Sequence, residues 1–418
     1  MTNGIRRFLV GGEQDFAFAP ADDIELSVPD RIHLYIHVPF CRSLCPYCPY
    51  NRVLYDETLV ARYFSAMMAE IEQYYQRLGP VCIDSVYIGG GTPSTCPRHV
   101  GMILEKLNER FTLSGDISIE SNPNDITPQL LHSLVSWGVN LLSIGVQSFE
   151  EENLRFLERG HTAGILHDKI EMALSSSLET VNLDLMFALP HQDSSALARD
   201  LEQAIASQAQ QLTTYPLFCF PYTTVGRWRK LQGVQLPPLI KRKKMYHTIH
   251  HTLLEAGYDR VSVWGFKKGD GPRYSSVTRE HYLGLGAGAA SHFPGQMFMN
   301  TFSLPEYIHR CNTHRLPVAL DMKLSPALSS YYWLYWRLYD TYLPRDTFAT
   351  MLGQDWKAQG LIKALHLLGM AKSKPDVVEL TQRGSFWVHL AQNYFFLHYI
   401  NRVWSVARKM PFPGRISI

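Results

Sequence analysis

The segment HLYIHVPFCRSLCPYC, residues 33–48, decides the fold and the chemistry of this chain. Its first six residues, 33–38, are rich in aromatic and β-branched side chains, which predicts a strand. Cys41, Cys45 and Cys48 follow this strand directly, separated by three and then two residues. Thiolates so close in sequence cannot join distant parts of a fold, but they can surround one inorganic centre. The segment therefore predicts a strand that ends in a loop built to hold a metal centre.

The cysteine spacing alone leaves the nature of this centre open. Zinc normally takes a fourth Cys or His ligand, and His37 is close enough in sequence to supply it. A [4Fe–4S] cluster held by three cysteines instead leaves one iron open to bind a further ligand. Three ordinary buried cysteines are the remaining alternative. We favour the cluster, because of the motifs that accompany this segment further along the chain.

Composition limits the classes of function. The chain has 418 residues, of which 46% are hydrophobic and 19% charged, and this is typical of a globular protein rather than a disordered one. A formal net charge of +2 provides no field that would attract nucleic acid or a membrane. No apolar run reaches the length of about 18 residues that a membrane-spanning helix needs. We expect a cytoplasmic, monomeric protein without a nucleic-acid or membrane partner.

The rest of the first half alternates between strand and helix patterns. Strands are predicted at 33–38, 85–90, 117–122, 140–148, 179–190 and 211–220, and helices at 57–78, 99–111, 128–138, 150–158, 164–177 and 195–208. Strands alternating with helices of this length form parallel β/α units. Six units predict an α/β fold with a partial (β/α)6, TIM-like barrel. Such a barrel carries its chemistry at the carboxyl ends of its strands.

The pattern changes after residue 221. Residues 222–242 read as a connecting loop, 243–257 as a helix and 258–266 as one further strand. Beyond about residue 305 the sequence is mostly helical and rich in aromatic residues, which can pack a core or form a lid over a flat substrate. We divide the chain into an N-terminal arm (1–32), a barrel with its extension (33–300) and a smaller, mostly helical C-terminal domain (301–418).

Further motifs identify a family. YIHVPFCRSLCPYCPYN (35–51), YIGGGTPS (87–94), IESNPNDIT (119–127), LLSIGVQSFEEENLRFLERGHT (141–162), NLDLMFALPHQ (182–192) and LGLGAGAASH (283–292) occur in this order. Together they resemble the oxygen-independent coproporphyrinogen III oxidases of the radical S-adenosylmethionine (SAM) superfamily. Relatives of that family include heme chaperones, heme-degrading methyltransferases, and two-SAM class C methylases and cyclopropanases. The resemblance covers about residues 33–293 and continues more weakly into the C-terminal part.

The resemblance implies a cofactor set. Cys41, Cys45 and Cys48 would hold a [4Fe–4S] cluster whose open iron chelates SAM, and an electron would cleave SAM to methionine and a 5′-deoxyadenosyl radical. By position, the first SAM would contact Tyr35, Gly90, Glu120, Pro216 and Ala290. A second SAM would contact Tyr47, Gly91, Thr92, Gln147, Arg159 and Asp184. The charges of Arg159 and Asp184 suit a zwitterionic amino acid and a ribose or amine.

One departure bears on the reaction. Authentic coproporphyrinogen oxidases carry a fourth cysteine two residues after the third, whereas Cys48 is followed here by Pro49 and Tyr50. The resemblance thus favours an enzyme that methylates, cyclopropanates or oxidises a planar unsaturated small molecule. A coproporphyrinogen oxidase-like enzyme of porphyrin or heme metabolism and a heme-binding chaperone without turnover remain as alternatives. A reductase or flavodoxin-type protein would supply the electron, and Lys267, Lys268 and Arg273 could bind substrate carboxylates.

Overall fold

The computed structural model describes residues 17–27, 29–220, 222–231, 234–275 and 280–418. Within them the chain forms a large mixed sheet with helices packed against it. The strands are β1 (Ala17–Pro20), β2 (Arg31–Val38), β3 (Phe40–Cys41), β4 (Val53–Leu54), β5 (Cys82–Gly90), β6 (Thr112–Ser121), β7 (Leu141–Gln147), β8 (Thr180–Phe187), β9 (Gln211–Pro216), β10 (Asp259–Arg260), β11 (Gly265–Lys267), β12 (Tyr282–Leu285), β13 (Ala290–Phe293), β14 (Gln296–Asn300), β15 (Val318–Lys323), β16 (Tyr342–Pro344), β17 (Ala371–Ser373), β18 (Val377–Leu380) and β19 (Ile416–Ser417).

The helices lie mostly between these strands. They are α1 (Glu57–Leu78), α2 (Pro97–Arg110), α3 (Pro128–Ser136), α4 (Glu151–Phe156), α5 (Leu166–Leu174), α6 (Ser194–Ala206), α7 (Thr224–Leu231), α8 (Leu239–Glu255), α9 (Leu304–Asn312), α10 (Pro326–Tyr339), α11 (Arg345–Leu352), α12 (Trp356–Leu367) and α13 (Gln382–Ala407). None of these helices is long and apolar enough to cross a membrane.

The parallel core of the sheet confirms the predicted fold class. Strands β2 and β5 to β9 are neighbours in chain order, and each pair is parallel. Helix α1 illustrates why the sequence folds in this way. Asp56 caps the helix by accepting a hydrogen bond from the Leu59 N–H at 2.7 Å, and Tyr63, Met67 and Tyr74 bury one face of the helix against the sheet. Among the described residues, no strand pairing closes this sheet into a complete barrel.

The sheet continues beyond the six units on the side of β2. Strand β12 pairs in parallel with β2, and β13, β14 and β15 follow as antiparallel neighbours. Strand β15 also pairs with β1, which in turn pairs with β19 near the end of the chain. Hydrogen-bonded strands thus connect segments that we assigned to three separate units. The division at residues 32 and 300 stays a prediction.

Two local predictions were wrong. The stretch 222–242, predicted as a loop, contains helix α7 and the first turn of α8. The stretch 258–266, predicted as one strand, contains β10 and the start of β11, which pair with each other in an antiparallel hairpin. The Ser262 hydroxyl accepts a hydrogen bond from the Gly265 N–H at 2.9 Å and stabilises the reversal. The alternation of apolar and polar residues over nine positions cannot reveal such a turn, because the same kinds of residue occur in both strands of the hairpin.

Candidate active site

Two adjoining cavities lie inside the sheet and under the C-terminal helices. The first, which we call the cysteine cavity, has a volume of about 400 Å³ and is lined by all three clustered cysteines and by the carboxyl ends of β5 to β9. The second, the wide cavity, has a volume of about 750 Å³. Both are in the size range of small-molecule sites. The side chains or backbone that face both cavities are Tyr50, Tyr87, Gly90, Glu120, Tyr335, Trp336, Phe396 and Trp404.

Local pairing closes the cysteine loop. Strand β3, which ends at Cys41, pairs in parallel with β4, so that residues 42–52 form a compact excursion from the end of β2. Inside this excursion the Arg52 guanidinium donates to the carbonyl oxygen of Cys45 and, at 3.1 Å, to that of Cys48. Arg52 therefore fixes the backbone that carries the second and third cysteines. A single basic residue at the end of a loop does this without any extra secondary structure.

The three thiols share one electrostatic environment. Burial, opposed by the hydrogen bond from Thr92 and supported by the neighbouring Cys48 and Cys45, raises the pKa of Cys41 to about 11. Burial likewise raises the pKa of Cys48, while the positive charge of Arg52 opposes this effect. Without a cationic centre Cys41 and Cys48 hold their protons. Binding iron would release the protons, since thiolates are the form that ligates metals.

His37 does not act as a fourth ligand in this structure. Its Nε2 lies 2.7 Å from the Asn51 carbonyl oxygen and its Nδ1 lies 2.8 Å from the Tyr35 hydroxyl, so both ring nitrogens are engaged. Burial lowers the pKa of His37 to about 4, which keeps the ring neutral. The carbonyl can only accept, so Nε2 donates to it and Nδ1 accepts from Tyr35. The zinc alternative thereby loses the ligand that we considered for it.

The glycine loop lies directly against the cysteine loop. The Gly91 N–H donates to the Val38 carbonyl at 2.8 Å, and a Cβ at Gly91 would come within 2.8 Å of the Phe40 carbonyl oxygen and 3.0 Å of Cys41 Sγ. Gly90 adopts a φ of 117°, a region that favours glycine. The Thr92 hydroxyl lies 3.5 Å from Cys41 Sγ. Close approach of two backbones explains the glycine at 91, whereas a Cβ at Gly90 would meet the His37 ring and a Cβ at Gly89 the side chains of Tyr87 and Glu120.

Glu120 anchors the floor between the two cavities. Its carboxylate accepts hydrogen bonds from the Gly90 N–H, at 3.1 Å, and from the Tyr87 hydroxyl. The Tyr87 oxygen lies 2.6 Å from the Tyr274 oxygen, which extends the network. Burial raises the pKa of Glu120, and the hydrogen bond from Tyr87 opposes this shift. The group is thus a preorganised hydrogen-bond acceptor beside the cysteines.

Arg159 reaches into the cysteine cavity from the loop after α4. It donates to the Gly145 carbonyl at 2.7 Å, and its Nη1 lies 3.3 Å from Cys45 Sγ and 3.4 Å from the Tyr47 hydroxyl. Burial alone would lower the pKa of Arg159, but Tyr47 and Cys45 raise it, so the guanidinium stays charged. Its Nε is buried without a partner among the described residues. This geometry leaves one donor for an anionic group in the cavity.

Gln147 and Asp184 complete this side of the cysteine cavity. Gln147 adopts a φ of 71°, unusual for a residue other than glycine, and accepts a 2.7 Å hydrogen bond from the Tyr215 hydroxyl. Asp184 accepts hydrogen bonds from Ser143 at 3.1 Å and from Asn182 at 2.9 Å. Burial raises the pKa of Asp184 to about 7, with a further contribution from the charge of Glu120. Asp184 and Arg159 thus face one cavity without a hydrogen bond between them.

The structure divides the remaining candidate residues between the two cavities. Pro216, at the end of β9, lines the cysteine cavity, whereas Tyr35 and Ala290 line the wide cavity. The predicted residues of the second SAM site, Tyr47, Gly91, Thr92, Gln147, Arg159 and Asp184, all line the cysteine cavity. The predicted residues of the first SAM site lie on both sides of the boundary between the two cavities, and two of them, Gly90 and Glu120, line both. The structure thus gathers all fourteen candidate residues around the two cavities.

Aromatic side chains from the C-terminal helices form much of the wall of the wide cavity. These are Tyr331, Tyr332, Tyr335, Trp336, Phe395, Phe396, Tyr399 and Trp404. Not every aromatic residue of this region lies there, because Trp333 is buried in a separate apolar core. Arg273 lines the wide cavity and forms an ion pair with Asp340 at 2.7 Å. The wall therefore presents flat apolar faces, and polar groups such as Asp116 and Arg273 also line the wide cavity away from its boundary with the cysteine cavity.

Sequence reasoning missed several residues of this site. Tyr87 and Tyr274 extend the Glu120 network, Arg52 holds the cysteine loop, and Tyr50 faces both cavities. A signal was available for Tyr87, because the period of two along β5 places it on the same face as Gly89. Tyr274 lies outside any regular element, and no pattern could have placed it here.

A sequence profile of the radical SAM superfamily matches residues 35–204. The heme chaperone HemW of Bacillus subtilis is 30% identical to this chain over 281 residues, which cover 66% of this chain and 74% of that protein. The chain belongs to the radical SAM superfamily. Within it, the oxygen-independent coproporphyrinogen III oxidase of Paracoccus denitrificans is 28% identical over 283 residues, covering 63% of this chain and 62% of the oxidase.

A solved structure supports the fold of this radical SAM protein over nearly its full length. Coproporphyrinogen III oxidase (HemN) from Escherichia coli superposes with a TM-score of 0.76 over 93% of this chain and 96% of the other, at 20% identity. The superposed region includes the C-terminal helices, which the superfamily profile does not reach. The α/β radical SAM fold is therefore confirmed.

The cofactors of this superfamily are a [4Fe–4S] cluster and SAM, and the residues present fit them. Three thiols are the ligand type of an iron–sulfur cluster. They line a common cavity, yet among the described residues no three His, Cys, Asp or Glu side chains are arranged for a single metal ion. The unpartnered Nε of Arg159 and the carboxylate of Asp184 offer complementary charges to an amino acid beside the cluster.

Proposed function

We propose that this protein is a radical SAM enzyme that modifies a planar, unsaturated small molecule bound in the wide cavity. The observation that carries the proposal is the arrangement of the two cavities, which meet at Tyr50, Gly90 and Glu120. A substrate against the aromatic wall would thus lie next to the thiols without leaving the protein. When bound, the cluster and SAM supply one-electron cleavage of SAM and abstraction of a hydrogen atom.

The residues of the cysteine cavity have distinct proposed roles. Cys41, Cys45 and Cys48 hold the cluster, and Arg52 orients the loop that carries the last two. Glu120 holds the Gly90 N–H and, through Tyr87, keeps the floor of the cavity in place. Arg159 and Asp184 would bind the charged groups of a SAM molecule. Burial of these groups excludes water, which would otherwise quench a reactive species.

A second SAM in the cysteine cavity is part of the proposal. The six residues assigned to it line that cavity together, and Gln147 is held there in a strained backbone conformation by Tyr215. A second SAM can serve as a methyl or methylene donor. We therefore favour methylation or cyclopropanation of an sp² carbon over simple oxidation.

The test is a product assay with anaerobically reconstituted protein, reductant, SAM and a planar tetrapyrrole. 5′-Deoxyadenosine with S-adenosylhomocysteine supports methyl or methylene transfer, and 5′-deoxyadenosine with an oxidised tetrapyrrole supports the oxidase alternative. The triple variant Cys41/Cys45/Cys48→Ala should form neither product. Cys82→Ala is the matched control, since Cys82 lines neither cavity and its thiol donates to Ser114 at the other end of the sheet.

Heme carriage without turnover is the second candidate, and the 30% identity to a heme chaperone favours it. The aromatic wall of the wide cavity suits a flat macrocycle in either case. Stoichiometric binding of heme by a cluster-loaded protein that forms no 5′-deoxyadenosine, with or without heme, would replace the enzymatic proposal by this one. The supply of electrons by a reductase or flavodoxin-type protein stays a prediction.

A further inference from the structure

The end of the C-terminal helix reaches the cysteine loop. Arg408, the C-cap residue of α13, donates hydrogen bonds to the carbonyl oxygens of Pro49 and Tyr50, each at 2.6 Å. These carbonyls belong to the two residues that directly follow Cys48. The residue is partly exposed, but its guanidinium group also lies 4.9 Å from the centre of the Tyr222 ring. Arg408 thus forms a charge-assisted contact between the last helix and the loop of the third cysteine.

One helical turn earlier, Trp404 contacts the same loop through its ring. Its centroid lies 6.3 Å from that of Tyr50 and 5.6 Å from that of Phe302. Trp404 also lines both cavities, as does Phe396 two turns before it on the same face of the helix. The face of α13 that would meet a substrate therefore ends in the side chains that hold the cysteine loop.

The loop has other supports. Arg52 donates to the Cys48 carbonyl oxygen at 3.1 Å, and the remaining contacts act on either side of Pro49 and Tyr50. Val225 N–H donates to the Pro46 carbonyl at 3.0 Å, and the Asn51 amide donates to the Ala287 and Phe302 carbonyls at 3.1 and 2.9 Å. The carbonyls of Pro49 and Tyr50 lie between these two points. Arg408 therefore binds the backbone of Pro49 and Tyr50, the two residues that follow the third cysteine.

We propose that Arg408 is a positioning residue, which fixes the Cys48–Tyr50 segment and so sets the geometry of the third cysteine of the cluster. The inference rests on the proposed function, in that Cys48 is taken as a cluster ligand. Because α13 also forms the wall of the wide cavity, the same helix connects substrate binding with the cluster loop. A residue more than 350 positions away in sequence would then help to determine how firmly the cluster is held.

The test compares Arg408→Gln with Arg408→Lys and with Lys409→Gln in the full chain. Lys409 is the neighbouring exposed cation and lines neither cavity, so its variant controls for loss of charge at this helix end. The readouts are iron and sulfide per chain, the rate of iron loss to a chelator without oxygen, and the electron paramagnetic resonance spectrum of the reduced cluster with and without SAM. Thermal unfolding of each variant checks the fold.

We expect iron loss about fivefold faster in Arg408→Gln, the ratio typical of one net hydrogen bond, and an altered spectrum with SAM. Arg408→Lys should fall between this variant and the parent, while Lys409→Gln should match the parent. Parent-like iron loss and spectra in Arg408→Gln would overturn the inference while leaving the proposed function intact. If Arg408→Gln does not fold, Arg408→Lys is judged by the same criteria. A parent protein that takes up no iron would instead contradict the proposed function.

Discussion

At the scale of single residues, Gly91 determines how closely the glycine loop approaches the first cysteine. Gly91→Ala should displace this loop, because the new methyl group would meet the Phe40 carbonyl oxygen at 2.8 Å and Cys41 Sγ at 3.0 Å. Backbone cannot move away as a flexible side chain can. We expect the variant to retain less than half of the iron of the parent after reconstitution, as measured by iron and sulfide analysis.

Gly164→Ala is the matched control for this prediction. A Cβ at Gly164 would find only the Thr162 hydroxyl, at 3.9 Å, among the described atoms near it. This variant should reconstitute like the parent. Equal iron content in the Gly91 and Gly164 variants would show that the close approach of the two loops does not matter for the cluster.

Asp184 makes stability depend on pH. Burial raises its pKa to about 7, above the ordinary carboxyl value, so the folded state holds this proton more tightly than the unfolded state does. The free energy of unfolding therefore falls as the pH rises from about 4 to about 7. Asp184→Asn removes the ionisation. We therefore expect the free energy of unfolding of this variant, relative to that of the parent, to increase by about 2 kcal/mol from pH 5 to pH 8.

Urea unfolding of both proteins at pH 5 and pH 8 measures this gain. Glu105→Gln, a change at an exposed carboxylate on α2, serves as the control. It should change the free energy of unfolding by the same amount at pH 5 and at pH 8. An Asp184→Asn difference that is the same at both pH values would contradict a raised pKa in the folded state.

The sequence predicted the chemistry-bearing residues of the site better than their partners. Cysteine spacing and a glycine-rich turn are local signals, because neighbouring residues produce them. The Tyr87–Glu120 contact joins residues 33 positions apart, and the Tyr87–Tyr274 contact joins residues 187 positions apart. Such contacts depend on the register of several strands, which no single segment encodes.

At the scale of elements, the turn between β7 and α4 depends on one buried carboxylate. Asp200, on α6, accepts hydrogen bonds from the Ser148 hydroxyl at 2.9 Å and from the Phe149 N–H at 2.6 Å. These residues directly follow Gln147, whose positive φ needs external support. Asp200 thus stabilises the backbone just after β7 through Ser148 and Phe149, although it lies outside both cavities.

Asp200→Ala should therefore weaken SAM binding by about tenfold, because loss of charge-assisted hydrogen bonds frees the turn that carries Gln147. Equilibrium dialysis with the cluster-loaded protein measures the affinity. Asp193→Ala removes the N-cap of the same helix, where Asp193 accepts from the Ala196 N–H at 2.8 Å. That control should lower the stability of the protein and leave its SAM affinity unchanged. Equal SAM affinities in the two variants would show that Asp200 does not support SAM binding through the turn after Gln147.

Periodicity explains which elements the sequence could predict. The six parallel strands and their helices are long and buried on regular faces, so their patterns are strong. Helix α7 is short and rich in polar residues, so its sequence does not distinguish it from a loop. The hairpin of β10 and β11 has a turn without the Asn-Gly or Gly-Gly pair that signals a reversal, so its sequence predicts one strand.

At the scale of the whole molecule, contacts between distant segments join the barrel to the C-terminal helices. Arg260, on β10, donates to the Ser385 hydroxyl at 2.6 Å and to the Leu380 carbonyl, and it pairs with Glu379 at 3.3 Å. Its side chain is only 6% exposed. The Trp264 indole N–H donates to His389 at 3.1 Å nearby. The pairing of β14 with β15, toward the other end of the strand order, adds a second connection across residue 300.

We therefore expect the chain to unfold in one cooperative transition rather than in two, in spite of its length. Arg260→Ala should lower the midpoint of that single transition and cost roughly 3 kcal/mol, because it leaves the buried partners of a hydrogen-bonded cation unsatisfied. Arg31→Ala is the matched control: it also forms an ion pair, with Asp84, but the Arg31 side chain is 62% exposed, so its loss should lower the midpoint far less. Calorimetry and urea unfolding measure both effects. A second transition in the Arg260 variant would show that the C-terminal helices fold independently, and that the sheet crossing residue 300 does not couple the two parts.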